Sequence, residues 1–279
     1  MPQLSESDQI SSVLQVMKAL AVQAATAIMQ VYSSTMAPEV TIKADGSPLT
    51  QADQQAHDII ERGLLPLGLP VVSEESRDKP EPAGLNLFFL VDPLDGTREF
   101  MARNGEFTVN IALIKQGKSV AGVVVVPQNG RIYFAAEGQG AWLQEAGGTL
   151  RQLKLTPRPV VQPIRIASSR HHAGTEAALL QAMAKHSEVL QIQRGSSLKI
   201  VDIASGDIDF YPRHAPTMAW DTAAAQVVLE EAGGMMTDLQ GRALRYGTEG
   251  YGWHNPEFWA LGQHDKVSLA WLKELSISL

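Results

Sequence analysis

Residues 87–100 read LFFLVDPLDGTREF. Five consecutive apolar residues mark a buried strand, because a half-exposed strand would alternate apolar with polar positions. The run then ends in Asp92-Pro93-Leu94-Asp95-Gly96. Asp, Pro and Gly are turn formers, so a tight turn is the expected local structure. A turn accounts for Asp95-Gly96 but not for an intensely apolar strand feeding straight into two carboxylates that repel each other. Any fold of this chain has to supply what those carboxylates need.

Other carboxylates stand where a chain normally avoids them. Glu74 and Glu75 end PVVSEE, Asp221 follows Trp220 ahead of an alanine-rich helix, and Asp53 falls in the first turn of a helix beginning near Thr50. Each has a bland alternative: Asp53 as a helix cap, Asp221 as a charge favoured by the helix dipole, Glu74-Glu75 as solvated loop charges. Taken together they form a set of strand-end and helix-start carboxylates with no Lys or Arg interleaved in their motifs, for which a divalent cation is the natural counter-charge. The chain has no cysteine, which excludes disulfides, thiolate metal sites and cysteine nucleophiles. Oxygen-only ligation favours Mg²⁺, with Mn²⁺ able to substitute, over zinc. Asp92 and Asp95 on one turn can serve two cations, with the Leu94 carbonyl as a further oxygen ligand. Gly96-Thr97 opens a helix whose free N–H groups can hold a phosphate. Cations beside a helix N-terminus are what phosphoryl transfer to water requires.

Around this centre the pattern predicts a long N-terminal helix with Ser5 and Asp8 as a capping box, and a second helix from Thr50-Asp53 to about Leu64. Short strands follow at 70–73, 86–91, 107–115, 119–126 and 131–136, with Asn129-Gly130 as a hairpin signal. TPRPVVQP, residues 156–163, carries three prolines in eight residues and reads as a connection between lobes. Beyond it helices and strands alternate: IRIASS, a helix near 174–185, VLQIQ, a helix from SSLKIVDIAS, DFYPR, the helix DTAAAQVVLEEA, MMTD, and a helix around 265–275. The expectation is an α/β (α+β) chain in two lobes: residues 1–157 with most of the carboxylates, and 158–279 with Asp221 and the cationic residues. A net charge of −7 disfavours nucleic-acid polymers as partners but leaves room for a small phosphorylated ligand. No apolar run approaches eighteen residues and no signal-peptide pattern opens the chain, so a cytoplasmic protein is expected, monomer or homodimer, with peripheral membrane attachment left open.

The ordered set DPLDGTREF, preceded by VVSEES and followed by WDTAAA, resembles the inositol monophosphatase superfamily of Mg²⁺-dependent, lithium-sensitive phosphatases. KADGSPLTQAD, ARNGEFTVNIALI, GSSLK, YPR and PTMAWDTAA are similar to one branch, the bacterial 3'(2'),5'-bisphosphate nucleotidases. The resemblance runs from about residue 43 to 235. It implies a five-layer αβαβα sandwich and hydrolysis of the 3'-phosphate of 3'-phosphoadenosine 5'-phosphate to AMP and phosphate. By matching motif, Glu74, Asp92 and the Leu94 carbonyl would hold one Mg²⁺. Asp92, Asp95 and Asp221 would hold a second, and a third, weaker ion would involve Glu74. Asp53, Thr97 and Glu74 would orient and deprotonate the attacking water, while the Gly96 and Thr97 amides hold the phosphate. Glu99, Ser169, Arg170, His172, Gly195, Ser196, Ser197, Lys199 and Arg213 would face the substrate. Lys199 and Arg213 suit a second phosphate, being cations in an acidic chain; the alternatives are a solvated face for Lys199 and a surface loop for His172. Trp220 would fill the core or pack on the ligand. Ala225 and Ala215 stand where the branch usually has glycine, and His171 neighbours His172. Sister activities on inositol or sugar phosphates, or a non-catalytic regulator, are the competing expectations.

Overall fold

The computed structural model describes residues 5–34, 40–42, 48–82, 84–159, 161–169, 177–247 and 252–277. The first helix, α1 (Glu6–Tyr32), starts at the expected capping box: Ser5 Oγ accepts the Asp8 N–H and Asp8 accepts the Ser5 N–H. Its apolar stripe, Leu14, Met17, Ala21, Ala24 and Ile28, is buried. No apolar run approaches eighteen residues, yet by length and composition α1 is long and apolar enough to cross a membrane. Here the stripe packs against a sheet instead. After the hairpin of β1 (Val40–Ile42) and β2 (Pro48–Thr50), α2 (Gln51–Leu64) begins at the second capping box and lies beside α1.

Those two helices cover one face of a seven-stranded sheet made by β3 (Val71–Ser73), β4 (Leu87–Asp95), β5 (Thr108–Lys115), β6 (Lys118–Val126), β7 (Arg131–Ala136), β8 (Ala141–Gln144) and β9 (Leu150–Leu153). The strands run in sequence order across the sheet; β3 and β4 are parallel and the remaining neighbours antiparallel. The short helix α3 (Thr97–Met101) leaves the end of β4. A second sheet has the order β11 (Val189–Gln193), β10 (Ile164–Ser168), β12 (Phe210–Arg213), β14 (Phe258–Leu261), β13 (Met235–Asp238). The proline-rich stretch carries the chain from one sheet to the other.

Between the sheets lie α5 (Leu198–Ala204) and α6 (Ala223–Glu231), sharing a core with Phe88, Leu90, Val124 and Tyr211. On the far side of the second sheet, α4 (Ala177–Ala184) and α7 (Leu269–Ile277) pack over Ile164, Ile166, Phe210 and Trp259. The order is therefore αβαβα, a five-layer sandwich. The middle layer is tight because β6 carries Gly122 under α6: a Cβ there would stand 2.3 Å from the Ala224 carbonyl oxygen. Ala225, in a place where the resemblance has glycine, is fully buried in that layer.

Alternation along β4 sends Phe88 and Leu90 to the middle layer and Phe89 and Val91 to the α1–α2 layer. By the same parity Asp92 points toward the middle layer, where α6 begins.

Candidate active site

Register brings the first two carboxylates together. β3 pairs with β4 in parallel with Ser73 opposite Val91, and the next residue continues the ladder, Glu74 N–H donating to the Val91 carbonyl at 3.0 Å. Glu74 is thereby carried beside Asp92 at the adjoining strand end. Two glutamates ending a short strand thus need no long-range coincidence to reach the aspartates.

The expected tight turn at 92–95 is a strand irregularity instead. Asp92 pairs with Asn110 and Asp95 with Thr108, so Pro93 and Leu94 together oppose Val109 alone. Residues three apart on a regular strand face opposite sides; this bulge inserts the extra residue that returns Asp95 to the face of Asp92. Proline suits the bulge because it brings no N–H to the ladder. Leu94 turns its side chain into the α1–α2 core, and its N–H donates to Asp92 Oδ1 at 3.0 Å.

Asp221 arrives from the other half of the chain. It lies not in α6 but at the end of the 3-10 turn Ala219–Asp221 that precedes it, where its carboxylate accepts the Met218 N–H at 2.9 Å. Trp220 is buried in the middle layer among core residues. One ligand atom each from Glu74, Asp92 and Asp221 lies within 4.8 Å of the others. Asp95 joins the same cleft, with Oδ2 held by the Ser197 N–H at 2.6 Å and the Ser197 hydroxyl at 2.8 Å. Ser197 Oγ also lies 2.6 Å from the Asp221 carbonyl oxygen and accepts from Asn110 Nδ2 at 2.8 Å. One buried serine therefore ties two acidic segments from opposite halves of the chain.

Burial pushes the Asp92 carboxyl well above the usual range, and repulsion from Glu74, Asp95, Asp221 and Glu75 adds to it. Asp221 is raised for the same reasons, burial first and then Asp95 and Glu74. Asp95 is also raised by burial, against the opposing pull of Lys199 and the Ser197 hydrogen bonds. A bound divalent cation would reverse this balance and restore the charged forms. The donors that Glu74, Asp92 and Asp221 bring together are all hard oxygens, which suits such a cation and not a thiophilic one.

Behind this cluster, Asp53 serves two segments at once. Its Oδ2 accepts the Thr50 N–H at 2.8 Å, completing the α2 cap, and its Oδ1 accepts from the Thr97 hydroxyl at 3.0 Å. The helix cap and the expected hydrogen bond to Thr97 are both present, one on each oxygen. Thr97 opens α3, and Gly96 before it has φ 97°, a left-handed conformation that disfavours any side chain.

The cleft above holds about 330 Å³. Glu74, Asp95 and Asp221 form its acidic side, and Gly96, Thr97 and Glu99 a second wall. Ser169, Ser196, Lys199 and Arg213 line the cleft as well. Lys199 is buried rather than solvated, with Nζ 3.3 Å from the Arg194 carbonyl and 5.4 Å from the Tyr211 ring centroid. Burial lowers its pKa, while Asp95 nearby opposes the fall. Arg213 is buried too, its guanidinium braced on the Ala215 and Pro216 carbonyls. Ser196 sits at φ 45°, rare for a non-glycine residue, at the cleft edge. Gly195 stands behind the wall, where a Cβ would come within 2.7 Å of Glu99 Cγ and of the Glu106 carbonyl oxygen. Arg170, His171 and His172 lie outside the described residues.

Several contributors escape a reading of motifs. Asn110 reveals itself only through contacts across the fold, as does the tie that Ser197, expected at the substrate, makes between Asp95 and the Asp221 segment. Lys79 corrects the view that no cation attends the acidic segments: Nζ donates to the Glu74 carbonyl at 2.7 Å and lies 5.3 Å from the Trp220 ring centroid. Nothing in the polar stretch RDKPEP distinguishes that lysine from a solvated one.

A profile of the inositol monophosphatase family matches residues 9–268. The 3'(2'),5'-bisphosphate nucleotidase CysQ of Escherichia coli K12 is 44% identical over 236 residues, covering 81% of this chain and 91% of that protein. An inositol-1-monophosphatase of Mesorhizobium japonicum is 30% identical, covering 83% of this chain and 87% of its own length. Among solved structures, CysQ from Bacteroides thetaiotaomicron superposes with a TM-score of 0.78 at 35% identity, covering 90% of this chain and 97% of that one.

Proposed function

This chain belongs to the inositol monophosphatase family, and from that premise we propose that it is a Mg²⁺-dependent 3'(2'),5'-bisphosphate nucleotidase. It removes the 3'-phosphate of 3'-phosphoadenosine 5'-phosphate, leaving AMP and inorganic phosphate. The family is metal-dependent, and the convergence of Glu74, Asp92 and Asp221 within 4.8 Å is the observation that carries the reading. Glu74, Asp92, Asp95, Asp221 and the Leu94 carbonyl would hold the ions. When bound, Mg²⁺ supplies neutralisation of the phosphoryl oxygens and of the leaving ribose oxygen. The same acidic set is the expected seat of lithium inhibition.

The remaining chemistry belongs to this chain's own groups. The Gly96 and Thr97 amides at the start of α3 donate to the scissile phosphate. Thr97 Oγ1 accepts a hydrogen bond from the attacking water while its own proton points to Asp53 Oδ1, 3.0 Å away. A proton leaving the water passes along that pair, and Glu74 fixes the water from the other side. Attack is in line with the ribose oxygen, which departs on the opposite side of the phosphorus. Lys199 and Arg213, which line the same cleft, receive the second phosphate; their burial strengthens that interaction. Two buried cations in the same cleft as the acidic centre favour a bisphosphate over an inositol monophosphate, the alternative within the family.

Phosphate release from 3'-phosphoadenosine 5'-phosphate, inositol 1-phosphate and fructose 1,6-bisphosphate at equal concentration tests the proposal. The nucleotide is expected to be hydrolysed fastest; preference for the inositol phosphate would move the assignment to that activity. Unchanged phosphate release in Asp92→Asn would remove the site itself.

A further inference from the structure

Helix α2 carries Asp53, His57 and Glu61 at four-residue spacing, so all three lie along one face. Asp53 reaches Thr97. His57 is buried, and its Nδ1 lies 3.0 Å from the hydroxyl of Ser73, the last residue of β3. Its Nε2 lies 3.6 Å from Glu61, which is 39% exposed. Ser73 has no exposed surface and stands one residue before Glu74.

Ser73 organises the turn that carries both glutamates. Its Oγ accepts the Glu75 N–H at 3.3 Å, its own N–H donates to Ser76 Oγ at 3.3 Å, and its carbonyl accepts the Ser76 N–H at 3.2 Å. With Oγ accepting from Glu75, the hydroxyl proton needs an acceptor of its own. Nδ1 of His57 is that acceptor when the imidazole proton sits on Nε2, facing the Glu61 carboxylate. This tautomer is the one that serves all three groups together.

We propose that His57 is a positioning residue for the metal-holding turn. It orients the Ser73 hydroxyl, which holds the Glu75 amide and thereby the direction of the Glu74 carboxylate. α2 thus aligns two parts of the site from one rigid face, the Thr97 hydroxyl through Asp53 and the Glu74 turn through His57. The proposal rests on Glu74 holding metal, and it extends that reading to a residue outside the cleft.

Mn²⁺ binding to the full-length protein, followed by loss of the free-ion electron paramagnetic resonance signal, tests this without substrate. His57→Ala is expected to weaken binding about 10-fold or more, the usual effect of removing a group that orients a metal ligand. Ser73→Ala should weaken it similarly, and the double variant should lose no more than the worse single one, because both act through one hydrogen bond. His57→Asn keeps an acceptor near the Nδ1 position and should recover most of the affinity. His57→Gln places its amide near Nε2 and should not. Ser73→Ala and His57→Gln carry the comparison if His57→Ala fails to fold. The proposal is overturned if folded His57→Ala or His57→Gln binds Mn²⁺ within about twofold of the parent, or if His57→Asn is no better than His57→Gln. Glu74→Gln separates the two readings: intact Mn²⁺ binding there overturns both, whereas loss there with none in the His57 and Ser73 variants overturns only this one.

Discussion

Replacing Ser197 by alanine removes one hydroxyl from the joint between the two halves of the active site. Ser197 Oγ lies 2.8 Å from Asp95 Oδ2, 2.6 Å from the Asp221 carbonyl and 2.8 Å from Asn110 Nδ2. A hydroxyl has one proton, so it donates to only one of the two acceptors at a time while accepting from Asn110. A hydrogen bond to a charged group is worth about 1.5–3 kcal/mol. The Ser197 N–H still holds Asp95 Oδ2 at 2.6 Å in the variant, which keeps the carboxylate near its place. The lower end of the range is therefore expected, and at about 1.4 kcal/mol per tenfold this is roughly a 10- to 30-fold fall in kcat/KM. Phosphate release across a Mg²⁺ titration measures it, with the larger part of the loss appearing as a higher Mg²⁺ requirement. Melting checks that the chain remains folded. Activity within about twofold of the parent at every Mg²⁺ concentration would refute the claim that Ser197 holds Asp95 in a working geometry, since even the weakest such bond is worth about tenfold.

Lys199→Ala should raise KM for the nucleotide bisphosphate about 10- to 100-fold, the worth of a buried charge-assisted contact, and alter hydrolysis of a monoester little; equal losses on both would remove Lys199 from recognition of the second phosphate. The raised Asp92 and Asp221 carboxyls make the metal-free protein pH-sensitive in a definite sense. Between the ordinary carboxylate range near 4 and their raised folded values, the folded state holds more protons than the unfolded one, so their contribution to stability falls as pH rises. Melting in chelator should record this decline, and the stabilisation by added Mg²⁺ should grow over the same window; a Mg²⁺ effect independent of pH would contradict it. Gly122→Ala should cost about 1–3 kcal/mol or more in denaturant unfolding, because its Cβ meets the Ala224 carbonyl; a neutral result would mean that α6 can lift from β6.

The helices and most of the strands of this fold are legible from local chemistry. Ser5 with Asp8 and Thr50 with Asp53 announce the starts of α1 and α2, and both boxes close as the spacing requires. The strand beginning at Leu87 is unmistakable, but its end is not. Asp92 and Asp95 read as turn residues because turn chemistry is local, whereas the bulge exists only in the pairing of β4 with β5. The strands AWLQ, LRQL and FWAL are too short to show a period, and each depends on a neighbour for its identity. The carboxylates of the site could be gathered from their unusual positions. Asn110 could not, and Ser197 could be placed near the substrate but not as the tie to Asp95, since these partners lie many residues away along the chain. Lys199 illustrates the same limit: its residue type fits a solvated helix face, and only the packing of α5 against Tyr211 and Asp95 makes it a buried cation.

The claim on which the rest depends is that Glu74, Asp92 and Asp221 converge to hold a divalent cation. Anomalous diffraction from crystals grown with Mn²⁺ tests it most directly. The account predicts a Mn²⁺ peak within ligand distance of all three carboxylates, with a further peak between Asp92 and Asp95. An enzyme that requires metal for phosphate release yet shows its Mn²⁺ away from these side chains would contradict it.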